Sequence, residues 1–301
     1  MNSTMSQSIT IIEPQLPAPR ITSATSDDEL VDSWLRVKGG KSPNTLAAYS
    51  RIANAFRDFF NYRPLASLKI DDLADYADSI KIHSIATQRQ RIFAVKSLLS
   101  YGQKTGYLQF NVGAALTAPA QKNNLAERFL SEEDIFKLIH AEEKPRNKLL
   151  LRLLYVSAAR ISEALALTWK DLTPRESGGQ VALYGKGNKT RFVLIPDPLW
   201  SDLNRERAGD DAPVFTSPKS KGKPLNRKSG WYIVKEAVKK SGINWKASCH
   251  WLRHAHATHA LKRSADIKLV SATLGHSNVS VTNAYLDVQP GESSSTYLMG
   301  V

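Results

Sequence analysis

Between residues 250 and 285 the chain gathers the side chains that phosphodiester chemistry needs. His250-Trp251-Leu252-Arg253-His254 is followed by Leu274-Gly275-His276 and then by Asn283-Ala284-Tyr285. A guanidinium grips a phosphate through two parallel hydrogen bonds. An imidazole donates to phosphate oxygens or moves a proton. A phenol becomes a nucleophile when its anion is stabilised. His250, Arg253, His276 and Tyr285 are therefore a set able to break a phosphodiester through a covalent tyrosine intermediate.

His-x-x-Arg, then Leu-Gly-His, then a tyrosine nine residues beyond His276 resembles the C-terminal signature of the tyrosine recombinases, or phage integrases. Upstream, Ala159-Arg160-Ile161-Ser162-Glu163 resembles that family's Arg-Ile-Ser-Glu box. Gly185-Lys186-Gly187-Asn188-Lys189-Thr190-Arg191 resembles its hairpin lysine motif. The resemblance runs over about residues 26–301 in the family's order, and the length is similar to that of compact Xer-like or phage-type members.

The resemblance implies a role for each group. Tyr285 is the nucleophile. A free phenol has a pKa of about 10, so nearby cations must favour its anion. Arg160 and Arg253 clamp the non-bridging oxygens with a planar fork that lysine does not reproduce. Glu163, one turn from Arg160, pairs with it and resembles the family's orienting acid. Lys186 is implied as the general acid for the leaving 5′ oxygen, with Lys189 as second candidate. His250 assists proton transfer, and His276 donates to a phosphate oxygen. Ala158 stands where the family usually has glycine, which bears on backbone packing beside Arg160. Trp251, His256 and Asn111-Val112 also depart from the usual pattern, without removing a reactive group.

A metal centre is the rival use of this segment, because His250, His254, His256 and His259 crowd together. On a helix, positions 250 and 254 share one face and 256 and 259 another. No convincing acid completes a ligand set, so neither metal nor cofactor is expected.

These groups need a frame. Acids at 27–29 and Ser42-Pro43 open two helices. Residues 70–81 and 84–104 read as two more, the last with Ile92, Val95, Leu98 and Leu99 on one stripe. Arg89, Arg91 and Lys96 lie off that stripe and are expected at DNA. Beyond Ser131, an N-cap, residues 146–157 form a very apolar helix. Residues 180–184 and 191–195 read as a β-hairpin around the Lys186 turn, with Lys189 and Arg191 expected at DNA. A short strand is expected at 213–216 and a mobile basic loop at Lys219-Ser220-Lys221-Gly222-Lys223. Helices follow at about 226–241, 251–263, 266–273 and 278–285.

Composition agrees with a polyanionic partner. The 301 residues carry a net charge of +13, which favours an acidic polymer. An apolar fraction of 42% builds real cores. Cys249 is the lone cysteine, so no intrachain disulfide forms. No apolar run of about 18 residues spans a membrane, and no secretion signal is seen at the start.

The expected fold is mainly α with a small β-sheet. It pairs a helical N-terminal core-binding (SAM-like) domain, 26–115, with a mixed α/β tyrosine recombinase catalytic domain, 129–288. A disordered tail, 1–25, precedes them, a linker, 116–128, joins them, and a tail at 289–301 docks on a neighbouring subunit. The expected function is site-specific recombination of double-stranded DNA through a 3′-phosphotyrosine by a homotetramer on two sites, in the cytoplasm with the nucleoid. The alternatives are type IB topoisomerase-like relaxation or an inactive DNA-binding relative.

Overall fold

The computed structural model describes residues 20–39, 43–121, 128–185, 189–275 and 282. The chain divides into two compact units, Met1–Lys122 and Asn123–Val301.

The first unit is helical: α1 (Asp27–Gly39), α2 (Pro43–Phe59), α3 (Ile70–Ser79) and α4 (Ile85–Lys104). Pro43 opens α2, where the missing amide costs nothing. Ser84 caps α4 by accepting from the Thr87 amide. Leu30, Trp34, Phe56, Tyr76 and the Ile92–Val95–Leu98–Leu99 stripe of α4 fill one core. Trp34 stacks on Tyr49 at 5.3 Å. Asp27, at the first turn of α1, accepts from the Leu65 amide and from the Tyr107 hydroxyl, each at 2.9 Å. Burial and that carboxylate push the Tyr107 phenol up to about 12, so this tyrosine stays a proton donor at neutral pH.

The second unit begins with α5 (Glu132–His140). Ser131 and Asp134 exchange reciprocal hydrogen bonds at 2.9 and 3.0 Å and start it. Helix α6 (Pro145–Ser157) runs through the centre, with Leu149, Leu150, Leu151, Leu153 and Leu154 all buried. It ends at Ala158, which has φ 50° and ψ 26°. A five-residue helix, α7 (Ile161–Leu165), follows at once.

Three antiparallel strands come next: β1 (Leu172–Pro174), β2 (Gly179–Tyr184) and β3 (Thr190–Ile195), in that order across the sheet. Val181 pairs with Val193, and the Gly185 amide donates to the Lys189 carbonyl at 2.8 Å to close the turn. Along β3, Val193 and Ile195 are buried while Phe192 and Leu194 face outward. Helix α8 (Asp197–Arg205) leads to a second hairpin, β4 (Thr216–Ser217) with β5 (Ser220–Pro224). Then come α9 (Arg227–Ser241), α10 (Cys249–Lys262) and α11 (Ile267–Leu274).

Two expectations change here. Residues 213–215 lie outside any strand; Pro213 makes one isolated bridge to Thr168. The basic run at 219–223 is no loop: residues 220–223 lie in β5, antiparallel to β4. Strand β1 and helix α8 were not read from sequence. Among the described residues no helix is long and apolar enough to cross a membrane. The expected helix at 278–285 and the tail at 289–301 lie outside the described residues, Thr282 excepted.

Candidate active site

Arg160 owes its position to a change of helix. Chain reversal at Ala158 ends α6, and Arg160 then caps α7 in an extended conformation. The Glu163 carboxylate accepts the Arg160 amide at 2.8 Å and Arg160 Nη1 at 2.8 Å. The acid therefore holds both the backbone and the head of the arginine, while 42% of the Arg160 side chain stays exposed.

Glu163 is itself nearly enclosed, with 5% of its side chain exposed. Burial alone would raise its pKa. Hydrogen bonds from Arg191 and Arg160 outweigh that and hold the carboxyl below its ordinary value.

Arg253 lies on the buried face of α10 and is 2% exposed. Its Nη1 donates to the Ala158 carbonyl at 2.6 Å and its Nη2 to the Leu274 carbonyl. Both acceptors close helices, α6 and α11, where the aligned peptide dipoles leave negative charge. The guanidinium is thus set in place by two helix C-termini.

His250 sits one turn before Arg253, and its ring meets His254 edge to face at 4.2 Å. Desolvation by the surrounding protein, then the charges of Arg253, Arg128 and Arg160, lowers its pKa. The imidazole is neutral at pH 7 and able to accept a proton.

These residues converge. Arg160, His250 and Arg253 line one cleft of about 390 Å³, together with Arg227, Trp231, Ser248 and Cys249. Guanidinia and a neutral imidazole are the groups able to grip a phosphate diester and to accept a proton beside it. Lys186, His276 and Tyr285 lie outside the described residues.

His256 and His259, also on α10, serve the fold. His256 Nδ1 pairs with the Tyr155 carbonyl at 2.9 Å. His259 Nε2 pairs with the Leu130 carbonyl at 2.9 Å, and its Nδ1 with the Tyr155 hydroxyl at 3.0 Å. Burial lowers both pKa values.

A family model, "Phage integrase family", matches residues 128–292. The chain belongs to the phage integrase family. Among curated relatives, tyrosine recombinase XerA of Pyrococcus furiosus is 33% identical over 256 residues, 83% of this chain and 85% of that one. Tyrosine recombinase XerD of Corynebacterium glutamicum is 29% identical over 287 residues, 86% of this chain and 93% of that one. A lambda integrase dimer bound to a COC′ core site has a similar fold, with TM-score 0.72 and 17% identity, over 88% of this chain and 78% of that one. The integrase fold is thus the frame on which this cleft is built.

The residues expected at DNA are placed unevenly. Lys189 is exposed and Arg91 half-buried. Arg89 donates to the Pro119 carbonyl at 2.6 Å, and Lys96 to the carbonyls of Ala114 and Leu116 at 3.0 and 2.5 Å. Arg191 departs most from its expected place. Only 11% of its side chain is exposed, and it points inward to Glu163. The alternation of β3 carries that signal, because Arg191 is in phase with buried Val193 and Ile195. Arg128, Arg227 and Trp231 belong to no motif. The legible hint for Arg227 is a cation in the first turn of a helix, where the dipole disfavours it.

Proposed function

We propose that the chain is a site-specific DNA recombinase that cuts and rejoins strands through a 3′-phosphotyrosine at Tyr285. The observation carrying this reading is the convergence of Arg160, His250 and Arg253 on one cleft, with Glu163 clasping Arg160. The Tyr285 oxygen attacks the scissile phosphorus, a P–O bond forms, and the bond to the 5′ oxygen breaks. Lys186 gives a proton to that leaving oxygen, and His250 receives the phenol proton. Arg160, Arg253 and His276 neutralise the charge that builds on the non-bridging oxygens. In the second step the 5′ hydroxyl of a partner strand attacks, and the tyrosine leaves. One phosphodiester replaces another, so no external energy source is needed.

Two duplexes present four strands, and each cut consumes one tyrosine, so the reading calls for a homotetramer on two sites. The helical unit acts as the core-binding half of a DNA clamp, joined by residues 116–128 to the catalytic half. Residues 289–301 dock on a neighbouring subunit. Acting on DNA places the protein with the nucleoid in the cytoplasm.

The test uses duplexes selected by the protein from a randomised pool, then nicked so that a short fragment diffuses away after cleavage. Native protein should accumulate a covalent adduct. Arg160→Ala and Arg253→Ala should bind and fail to cleave. Lys186→Ala should regain cleavage when sulfur replaces the leaving 5′ oxygen, because a thiolate leaves without an acid. Binding without any adduct from native protein would leave a DNA-binding relative and overturn the proposal.

A further inference from the structure

We propose that Arg191 is a positioning residue that ties the lysine-bearing hairpin, the Arg160 clamp and the end of α11 into one unit; this rests on the phosphoryl-transfer reading above. Arg191 Nη2 donates to Glu163 Oε2 at 2.7 Å and Nη1 to Oε1 at 3.2 Å. The same carboxylate holds Arg160 by its amide and its Nη1. Arg191 Nε meanwhile donates to the Thr273 carbonyl at 2.7 Å, near the C-terminus of α11. Two residues beyond Thr273 is Gly275, and His276 follows. One planar guanidinium therefore spans an acid on α7 and a carbonyl on α11, from a strand that begins at the hairpin turn.

The slot is built for that group. A Cβ at Gly275 would lie 3.1 Å from Arg191 Cδ, and Gly275 has φ +64°. A Cβ at Gly185, across the hairpin, would lie 3.6 Å from Glu163 Oε1 and 3.7 Å from Arg191 Nη1. Both glycines belong to motifs of the active region; Gly275 leaves room for the Arg191 side chain, and a Cβ at Gly185 would lie in ordinary contact with it.

Lysine cannot take its place. An ammonium is a point charge, and it lacks the fork that meets a carboxylate with two nitrogens and a carbonyl with a third. With Arg191 removed, the buried Glu163 carboxyl keeps one cationic partner in place of two and loses the first of the contacts that oppose its desolvation. The end of α11 loses its tether to β3. Arg160 then moves relative to the phosphate, and small displacements of a clamp are costly.

Arg191→Gln and Arg191→Lys are compared with native protein on the nicked duplex, by anisotropy for binding and by adduct formation for cleavage. Binding should stay within about twofold while cleavage falls about 100-fold for the glutamine variant, as for a displaced catalytic group. A methylphosphonate at the scissile position removes the charge that the arginine clamp opposes, so on it the deficit should shrink to about tenfold or less. A purely structural loss would be equal on both substrates. Arg191→Lys keeps the charge beside Glu163 and preserves the fold should the glutamine variant unfold; it too should bind normally and cleave slowly. Native cleavage rates in both variants, a deficit confined to binding, or an equal deficit on the neutral linkage would each overturn the proposal. No adduct from native protein would instead remove the reaction itself.

Discussion

Arg253 Nη1 donates to the Ala158 carbonyl at 2.6 Å, joining α10 to a residue 95 positions earlier in the chain. The acceptor closes α6 with φ 50°, in the left-handed region where a Cβ is crowded. Ala158 is also fully buried against Ala257, Val270 and Leu274. The position therefore sets a backbone carbonyl for the clamp and pays for it in local strain.

Ala158→Gly relieves left-handed strain of about 1–2 kcal/mol and loses a buried methyl worth about 0.8 kcal/mol. Its stability should stay within about 1 kcal/mol of native by urea denaturation, since the two effects oppose each other. Ala158→Val places a β-branched residue at positive φ, a true outlier. It should be destabilised by more than about 2 kcal/mol, strain and overpacking together, and should cleave poorly because the carbonyl that accepts from Arg253 is displaced.

Gly230 lies where α9 meets α7, and a Cβ there would come within 2.7 Å of Leu165 and 2.9 Å of Ile161. Overpacking of about 1–3 kcal/mol, less the roughly 1 kcal/mol that alanine gains over glycine inside a helix, should leave Gly230→Ala destabilised by up to about 2 kcal/mol. Because Ile161 adjoins Arg160, the same variant should slow adduct formation more than it weakens DNA binding. Equal stability and equal cleavage would show that α9 yields at that contact.

The elements were legible where periodicity was strong. The α4 stripe and the apolar run of α6 are buried as their spacing requires. Proline and acids mark the starts of α2 and α1. Strand β5 was hidden because Ser, Lys, Gly and Pro compose it, and strand propensity is weak beside pairing. Helix α8 was hidden because it has no side-chain N-cap and only two buried apolar contacts, Leu199 and Leu203, to show a period. Arg160, His250 and Arg253, which line one cleft, were legible as motifs. The partners of Arg191 were not, since Glu163 and Thr273 are 28 and 82 positions away.

Desolvation and the charges of Arg253, Arg128 and Arg160 hold His250 below its ordinary value. A lowered pKa keeps the imidazole neutral to lower pH. The acid limb of cleavage should therefore lie below about pH 6.5, the free imidazole value. Arg128→Ala removes one of those charges and should move the limb upward. A limb above that value in native protein would show that His250 is not the titrating base.

The net charge of +13 predicts binding dominated by phosphate contacts. Affinity should fall by orders of magnitude between about 50 and 200 mM salt as counterions are released. A flat response would argue against a clamp around DNA.

The most direct test of the proposed reaction is the identity of the residue joined to DNA. Native protein is trapped on a nicked target duplex, digested, and the peptide bearing the nucleotide is sequenced by mass spectrometry. The nucleotide should map to Tyr285, and Tyr285→Phe should bind the same duplex with similar affinity and give no adduct. A nucleotide on Tyr297, or an undiminished adduct from Tyr285→Phe, would contradict the assignment.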